Sequence, residues 1–493
     1  MAEQLALPAT VLSAAQHNTL REAIVAKNKF HFFQWRFQNW MYLAGSRRAE
    51  QGRMTAELPL FDASIGAAEA RIAKLARGEA VPVADEPQRP EAIEPQRPLP
   101  QFQLAEGVQI GLFAENPLIG KPVQISFDER GRMWVVCSSS YPQASPNALP
   151  DDRIYVLEDT DRDGVADTST LFADGLTIPC GAEPADGGCY VAASTELLFL
   201  KDNDGDGKAD SRRVVLSGFG TDDTHHLIHS LRWEPDGCLS FNQSLFIRTN
   251  IETPQGVVRA ERAHVWRFDP RTGSLGTVAH GWINPWSRAI DAHGNYFTND
   301  NAGRGIMWTF RDSVHDLGSA PRMAPAAGPE GSPKLCGLEV IEGEHFPDAW
   351  QGQMIAGSHT GLALLHYAVA SRGAGFAATQ LPDLVQSQDS SFRPVDVRLG
   401  PDGALYVADW TNPIINHGEV DFRDPRRDLV HGRIWRVSMK NQPPARWQPL
   451  AGLSAEQLCD HLLAKNPWAR YQARRLLKEQ GLKAEGALSL IHI

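Results

Sequence analysis

One phrase returns again and again along the middle of this chain: a short strand, a turn closed by glycine, and a second strand. It stands as Asp128-Glu129-Arg130-Gly131-Arg132-Met133-Trp134-Val135, Asp186-Gly187-Gly188-Cys189-Tyr190-Val191 and Pro235-Asp236-Gly237-Cys238-Leu239-Ser240. It returns as Asp291-Ala292-His293-Gly294-Asn295-Tyr296-Phe297, Ala349-Trp350-Gln351-Gly352-Gln353-Met354-Ile355 and Pro401-Asp402-Gly403-Ala404-Leu405-Tyr406-Val407. The glycines at 131, 188, 237, 294, 352 and 403 are spaced by 57, 49, 57, 58 and 51 residues. Each unit carries a further strand, at 153–157, 196–200, 264–268, 306–310, 362–367 and 433–437. A period near fifty, all strands and turns and no helical periodicity, predicts the blades of a propeller. Six units predict six blades, and an extra strand at 108–114 is placed to complete the last blade and close the ring. A sandwich would show shorter spacing and no internal echo.

The flanks read differently. Residues 1–78 form a helical segment, with helices expected at 18–28 and 62–77 and an aromatic block at 30–42 between them. A Pro-rich linker follows at 79–103, where Pro-Gln-Arg-Pro occurs twice. The propeller is expected at 104–440 and a helical pair at 450–493. Ser454-Ala455-Glu456-Gln457 is a capping box, Pro467 opens the second helix and Gly481 ends it. Two short antiparallel helices there read as the start of a HEAT-like solenoid, and 488–493 look unfinished. The fold class is therefore mainly β, a six-bladed β-propeller with helical segments at both ends.

Composition narrows the partners. A formal charge of −11 argues against nucleic acid or an anionic membrane surface. No apolar run is long enough for a transmembrane segment, and the first twenty residues lack a signal peptide. The six cysteines include no C-x-x-C pair, which disfavours covalent haem attachment through C-x-x-C-H, a thioredoxin motif and a structural zinc site. Cys180 and Cys189 are close enough in sequence to bridge a loop in an oxidising compartment.

Two stretches carry chemistry. Asp222-Asp223-Thr224-His225-His226-Leu227-Ile228-His229 packs three imidazoles and two carboxylates together, and imidazole trades protons near neutral pH. The other reading makes one or two of these histidines scaffold. Asp159, Asp161, Asp163 and Asp167 share one spacing with Asp202, Asp204, Asp206 and Asp210, with Gly164 and Gly207 at the sixth position. Carboxylates at positions 1, 3, 5 and 9 around a glycine bend suit Ca2+. The bidentate Glu of an EF-hand is missing, with Thr170 and Arg213 in its place, so these read as calcium loops on β-hairpins or as plain Asp/Gly turns.

Residues 106–438 resemble the soluble quinoprotein glucose/sorbosone dehydrogenase superfamily. More narrowly they resemble the membrane-bound-dehydrogenase-type domain common in Planctomycetes and Verrucomicrobia. The resemblance rests on Thr224-His225-His226 through Asp236-Gly237, on Phe392-Arg393-Pro394-Val395-Asp396, and on Asp409-Trp410-Thr411-Asn412-Pro413-Ile414-Ile415. Arg423-Asp424-Pro425-Arg426-Arg427-Asp428 and His431-Gly432-Arg433-Ile434-Trp435 add to it. Lys27-Asn28, Trp35-Arg36 and Glu50-Gln51-Gly52 resemble the segment after an SGNH/GDSL esterase domain, whose nucleophile block is not present here.

The resemblance implies a channel-facing base ten residues before Asp236, which is His226, with His229 sharing the role or ligating. It implies cofactor contacts at Asn284 and Arg393, with Ile283 and Val395 where two further arginines would stand and Arg288 as a substitute. Arg393 reads equally as a blade-locking ion pair with Asp396 or Asp409. The charged loop 423–428 reads as a solvated network or as a channel mouth. The resemblance further implies oxidation of a sugar or other alcohol with pyrroloquinoline quinone (PQQ), a cytochrome c electron acceptor, and an exported, periplasmic or cell-surface location. The competing function is a non-catalytic, calcium-stabilised propeller that binds carbohydrate or protein.

Overall fold

In the computed structural model, residues 12–81, 97–302, 305–314, 333–414 and 418–481 are described. Six inner strands, Pro122–Phe127, Gly181–Ala185, His229–Trp233, Pro285–Ile290, Cys336–Val340 and Pro394–Leu399, stand around one axis. Each packs against the next and the last packs against the first, so the ring of six blades is closed. At the turn after each inner strand a glycine (131, 187, 237, 294, 352, 403) takes φ between +71° and +81°. Only glycine adopts that region without strain, which is why the turns left a readable mark in the sequence. In the second blade the positive φ falls on Gly187, one residue before the glycine counted there.

Burial falls from the axis outward. The strand Met133–Cys137 is buried at every position, whereas the outermost Ser211–Ser217 is exposed over its first four residues. The expected closing strand is present as Val108–Glu115, paired antiparallel with Arg433–Met439. The short strand Phe102–Leu104 likewise completes the outer edge of the fifth blade against Val385–Ser387. Thus the segment expected as linker up to 103 already belongs to the ring, while 82–96 and 488–493 lie outside the described residues.

The N-terminal helices are longer than expected. Helix α1 spans Ala14–Trp35 because Ser13 and Gln16 form a capping box upstream of Asn18, and it runs through the aromatic block. A short helix α2 spans Trp40–Leu43, and α3 spans Met54–Ala76, carrying Pro59 in its second turn. At the other end, α4 (Ala455–His461) and α5 (Pro467–Gln480) begin at Ser454 and Asn466. Their inner face is spent on the propeller: Trp468 Nε1 donates to Asp128 O at 3.1 Å and Gln472 Nε2 to Phe127 O at 2.7 Å. Helix α5 therefore covers one end of the channel. Among the described residues no helix is long and apolar enough to cross a membrane.

Candidate active site

The channel end opposite α5 is the open one, formed by the loops that lead into the inner strands. It encloses about 140 Å³ lined by Tyr141, His225, His229, Asn284, Trp286 and Arg393, among others. Three fully buried aspartates hold these loops in place. Asp152 accepts the N–H groups of Ser139, Ser140 and Ile178. Asp300 accepts those of Ile283, Asn284 and Ala302, and Asp409 those of Arg393 and Thr411. Burial pushes the Asp152 and Asp409 carboxyls up, and the donated hydrogen bonds oppose that rise. Asp300 thereby presents Asn284, and Asp409 presents Arg393 and Trp410.

The histidines sort themselves by their partners. Asp223, fully buried, caps the single 3₁₀ turn Thr224–His226 and accepts the His225 N–H. Its carboxylate lies 2.7 Å from His225 Nδ1. Burial alone would raise the Asp223 carboxyl, but the imidazoles of His226 and His225 and the hydrogen bonds hold it well below the usual carboxylate range. His225 lines the cavity, its ring flanked by Tyr141 at 5.5 Å, Phe422 at 5.5 Å and Tyr42 at 6.0 Å. An imidazole with Nδ1 held by a buried carboxylate is fixed in tautomer and orientation.

Of the two histidines expected at the channel, His229 lines the cavity and His226 does not. His226 is buried, 3% exposed, edge-on to Phe246, with Nε2 3.7 Å from Asp223; it does not line the cavity. The helical turn sends it inward while its neighbour faces the channel. His229 does line the cavity, but Nδ1 faces Leu227 O at 2.6 Å and Nε2 faces Pro285 O at 2.9 Å. Burial lowers its pKa, and the neutral ring donates from one nitrogen only, so one of these carbonyls accepts its N–H and the other is a close neighbour.

Of the expected cofactor contacts, Asn284 and Arg393 reach the mouth and Arg288 does not. Arg288 is buried further along the channel, 3.7 Å from Glu234 and bonded to Ser240. Arg393 donates Nε to Asn412 O and Nη1 to His359 O, so neither Asp396 nor Asp409 takes its guanidinium. Lys334 also lines the mouth; sequence reasoning passed it over because no motif surrounds it. Trp286 stacks on His359 at 6.0 Å, and Trp410 lies over the buried Lys121 ammonium at 4.6 Å. Asn284 Oδ1, Asn301 Oδ1 and Trp410 Nε1 are buried without a hydrogen-bond partner among the described residues. Cys180 lines the cavity, but burial pushes its thiol up to about 12, and it and Cys189 are free thiols.

The charged loop is neither a solvated network nor part of the cavity lining. Arg423 forks onto Glu57 at 2.8 Å and 3.0 Å and donates to Gln143 O, clamping α3 to the rim, and only Arg426 and Asp424 pair in the open.

The acidic loops sit on the outer hairpins of the first two blades, away from the mouth. Carboxylate oxygens of Asp159, Asp161 and Asp167 lie within 4.8 Å of one another, as do those of Asp202, Asp204 and Asp210. Asp163 and Asp206 instead accept the N–H of Val165 and Lys208. Each loop thus offers three carboxylates to a hard cation, which would need further oxygens to fill its shell.

A family profile described as a domain of unknown function (DUF7133) matches residues 94–441. No curated protein matches the chain. Among solved structures it is similar to the apo soluble aldose sugar dehydrogenase from Escherichia coli, at 13% identity over 68% of this chain and 100% of that one, TM-score 0.45. It is similar to the holo pyranose dehydrogenase PQQ domain from Coprinopsis cinerea, at 13% identity over 70% and 98%, TM-score 0.44. A carbohydrate-active enzyme of Family AA12 from Trichoderma reesei is similar at 11% identity over 70% and 100%, TM-score 0.46.

Proposed function

The chain belongs to the family described as a domain of unknown function, DUF7133, and from that premise we propose that it is a propeller oxidoreductase acting on a sugar or other alcohol. The observation that carries the reading is the Asp223–His225 pair facing a cavity shared with Asn284, Lys334 and Arg393. His225 takes the hydroxyl proton. Asp223 fixes the ring with its proton on Nδ1 and stabilises the imidazolium that forms. Tyr141 and Phe422 exclude water from the ring faces.

The same cavity fits PQQ. Arg393 and Lys334 match its carboxylates, Trp286 and His359 its plane, and the unpartnered Asn284, Asn301 and Trp410 atoms its polar edge. When bound, such a group supplies the hydride acceptor. A cytochrome c would accept the electrons in turn, and the two acidic loops would bind Ca2+, which suits an exported protein.

Two cations for three carboxylates, with Ile283 and Val395 where arginines would stand, favour a second reading as a sugar-binding module. Dye reduction with PQQ, calcium and a panel of sugars separates the two. Oxidation is expected, with His225→Gln lowering kcat by about 10²–10⁴ while KM changes only a few-fold. Sugar binding by wild-type protein with no dye reduced would leave only the binding module.

A further inference from the structure

The loop that carries His225 is not held by the propeller alone. Residues 221–224 have no strand partner, and their polar groups are met by a segment nearly two hundred residues earlier. Asn39, fully buried and left-handed at φ +64°, stands at the centre. Its Oδ1 accepts from Thr224 N at 2.7 Å and Thr224 Oγ1 at 2.9 Å. Its Nδ2 donates to Pro142 O at 2.8 Å and Gln143 Oε1 at 2.6 Å. Its backbone N–H donates to Thr221 O and that of Met41 to Asp222 O, both at 2.9 Å. One side chain thus ties the histidine turn to the loop of the first blade that supplies Tyr141.

The same segment walls the imidazole. Tyr42, 1% exposed, lies against both His225 and Phe422. Arg47 stacks over Tyr42 at 4.6 Å and brings Nη1 to 3.5 Å from Asp223 Oδ2. Gln51 donates to Gly418 O and Val420 O and accepts from Phe422 N, which fixes the third aromatic wall. Four buried side-chain bonds on Asn39 are more than the short helix α2 requires, since its cap makes no side-chain bond to α2 itself.

We propose that residues 39–51 of the N-terminal helical segment support the active site from behind, with Asn39 as the positioning residue for His225 and Tyr42 and Arg47 packed against the Asp223–His225 pair outside the cavity lining. The proposal rests on His225 being the base, and deepens that reading. It makes the N-terminal helices a working part of the oxidoreductase rather than an appendage, because the propeller alone leaves Thr224 N without its acceptor, although the Thr224 hydroxyl also reaches Pro142 O at 2.6 Å.

Asn39→Gly in the full chain tests it, because glycine keeps the left-handed backbone and removes only the four bonds. Histidine ¹H–¹⁵N spectra should show one Nδ1–H tautomer for His225 in wild type and a broadened or mixed pattern in the variant. With sugar and quinone, kcat should fall about tenfold to 100-fold at a KM within a few-fold. Thr224→Val, which removes the hydroxyl at nearly constant volume, should produce a smaller change of the same kind. Leu75→Ala, buried in the last turn of α3 and outside the apolar cluster that holds Tyr42 and Phe422, should lower the melting temperature and leave the ring spectrum and kcat as in wild type. Wild-type ring signals in both Asn39→Gly and Thr224→Val would overturn the proposal. The spectrum needs no substrate, so it decides the positioning even where the protein reduces no dye, a result that sinks only the redox reading.

Discussion

At the scale of single residues, the structure is decided by which atom each polar group meets. Counting back from the Pro-Asp-Gly turn led to His226, but the local rule that matters is the Asx cap: Asp223 accepts from the residue two further on and so engages His225. That spacing was visible in the sequence; what was not visible is that one helical turn sends adjacent imidazoles to opposite sides. Lys334 was illegible for a different reason, since a lone lysine before a strand carries no signal until the ring brings it to the cavity that Arg393 also lines. A pH effect belongs at this scale too. His366 is buried against Trp350 at 4.8 Å, and burial pulls its pKa down to about 4. The folded state therefore resists a proton that the unfolded chain accepts near 6.5, so stability is lost as pH falls from 6.5 toward 4. The cost approaches on the order of 3 kcal/mol. Denaturant unfolding at pH 7 and pH 4.5 should show that His366→Phe loses less stability on acidification than wild type; an equal loss would clear His366 of the effect.

At the scale of elements, turns were the most legible and helix starts the least. The glycine turns stood out because a positive φ restricts residue type at every blade. Helix α1 begins four residues before the expected start at 18 because Ser13 and Gln16 form a capping box, and its aromatic stretch packs as helix despite weak propensity. The acidic hairpins make the prediction proper to this scale. With Ca2+ at a hundredfold excess over Kd, each loop should add about 2.7 kcal/mol. Chelation should lower the melting temperature by several degrees in wild type, and less after Asp161→Asn and Asp204→Asn together. An unchanged melting temperature on chelation would reduce both loops to Asp/Gly turns.

At the scale of the whole molecule, the ring does two things that no segment could. The strand Val108–Glu115 pairs with Arg433–Met439, so the last blade takes its outermost strand from the start of the ring and the two ends of the ring are tied together. The ring also gathers residues from 141 to 410 at one end of the axis, while α5 covers the other. Six blades were legible because the repeat is periodic; the path of the helices across the two ends was not, because it depends on side-chain bonds such as Asn39–Thr224 and Trp468–Asp128 that have no sequence period. The most direct test of the central claim is isothermal titration of the full chain with PQQ in the presence of calcium. The account predicts saturable one-to-one binding that weakens at least about tenfold in Lys334→Ala and is unaltered in the exposed Arg426→Ala. No heat of binding, or the same affinity in Lys334→Ala as in wild type, would contradict it.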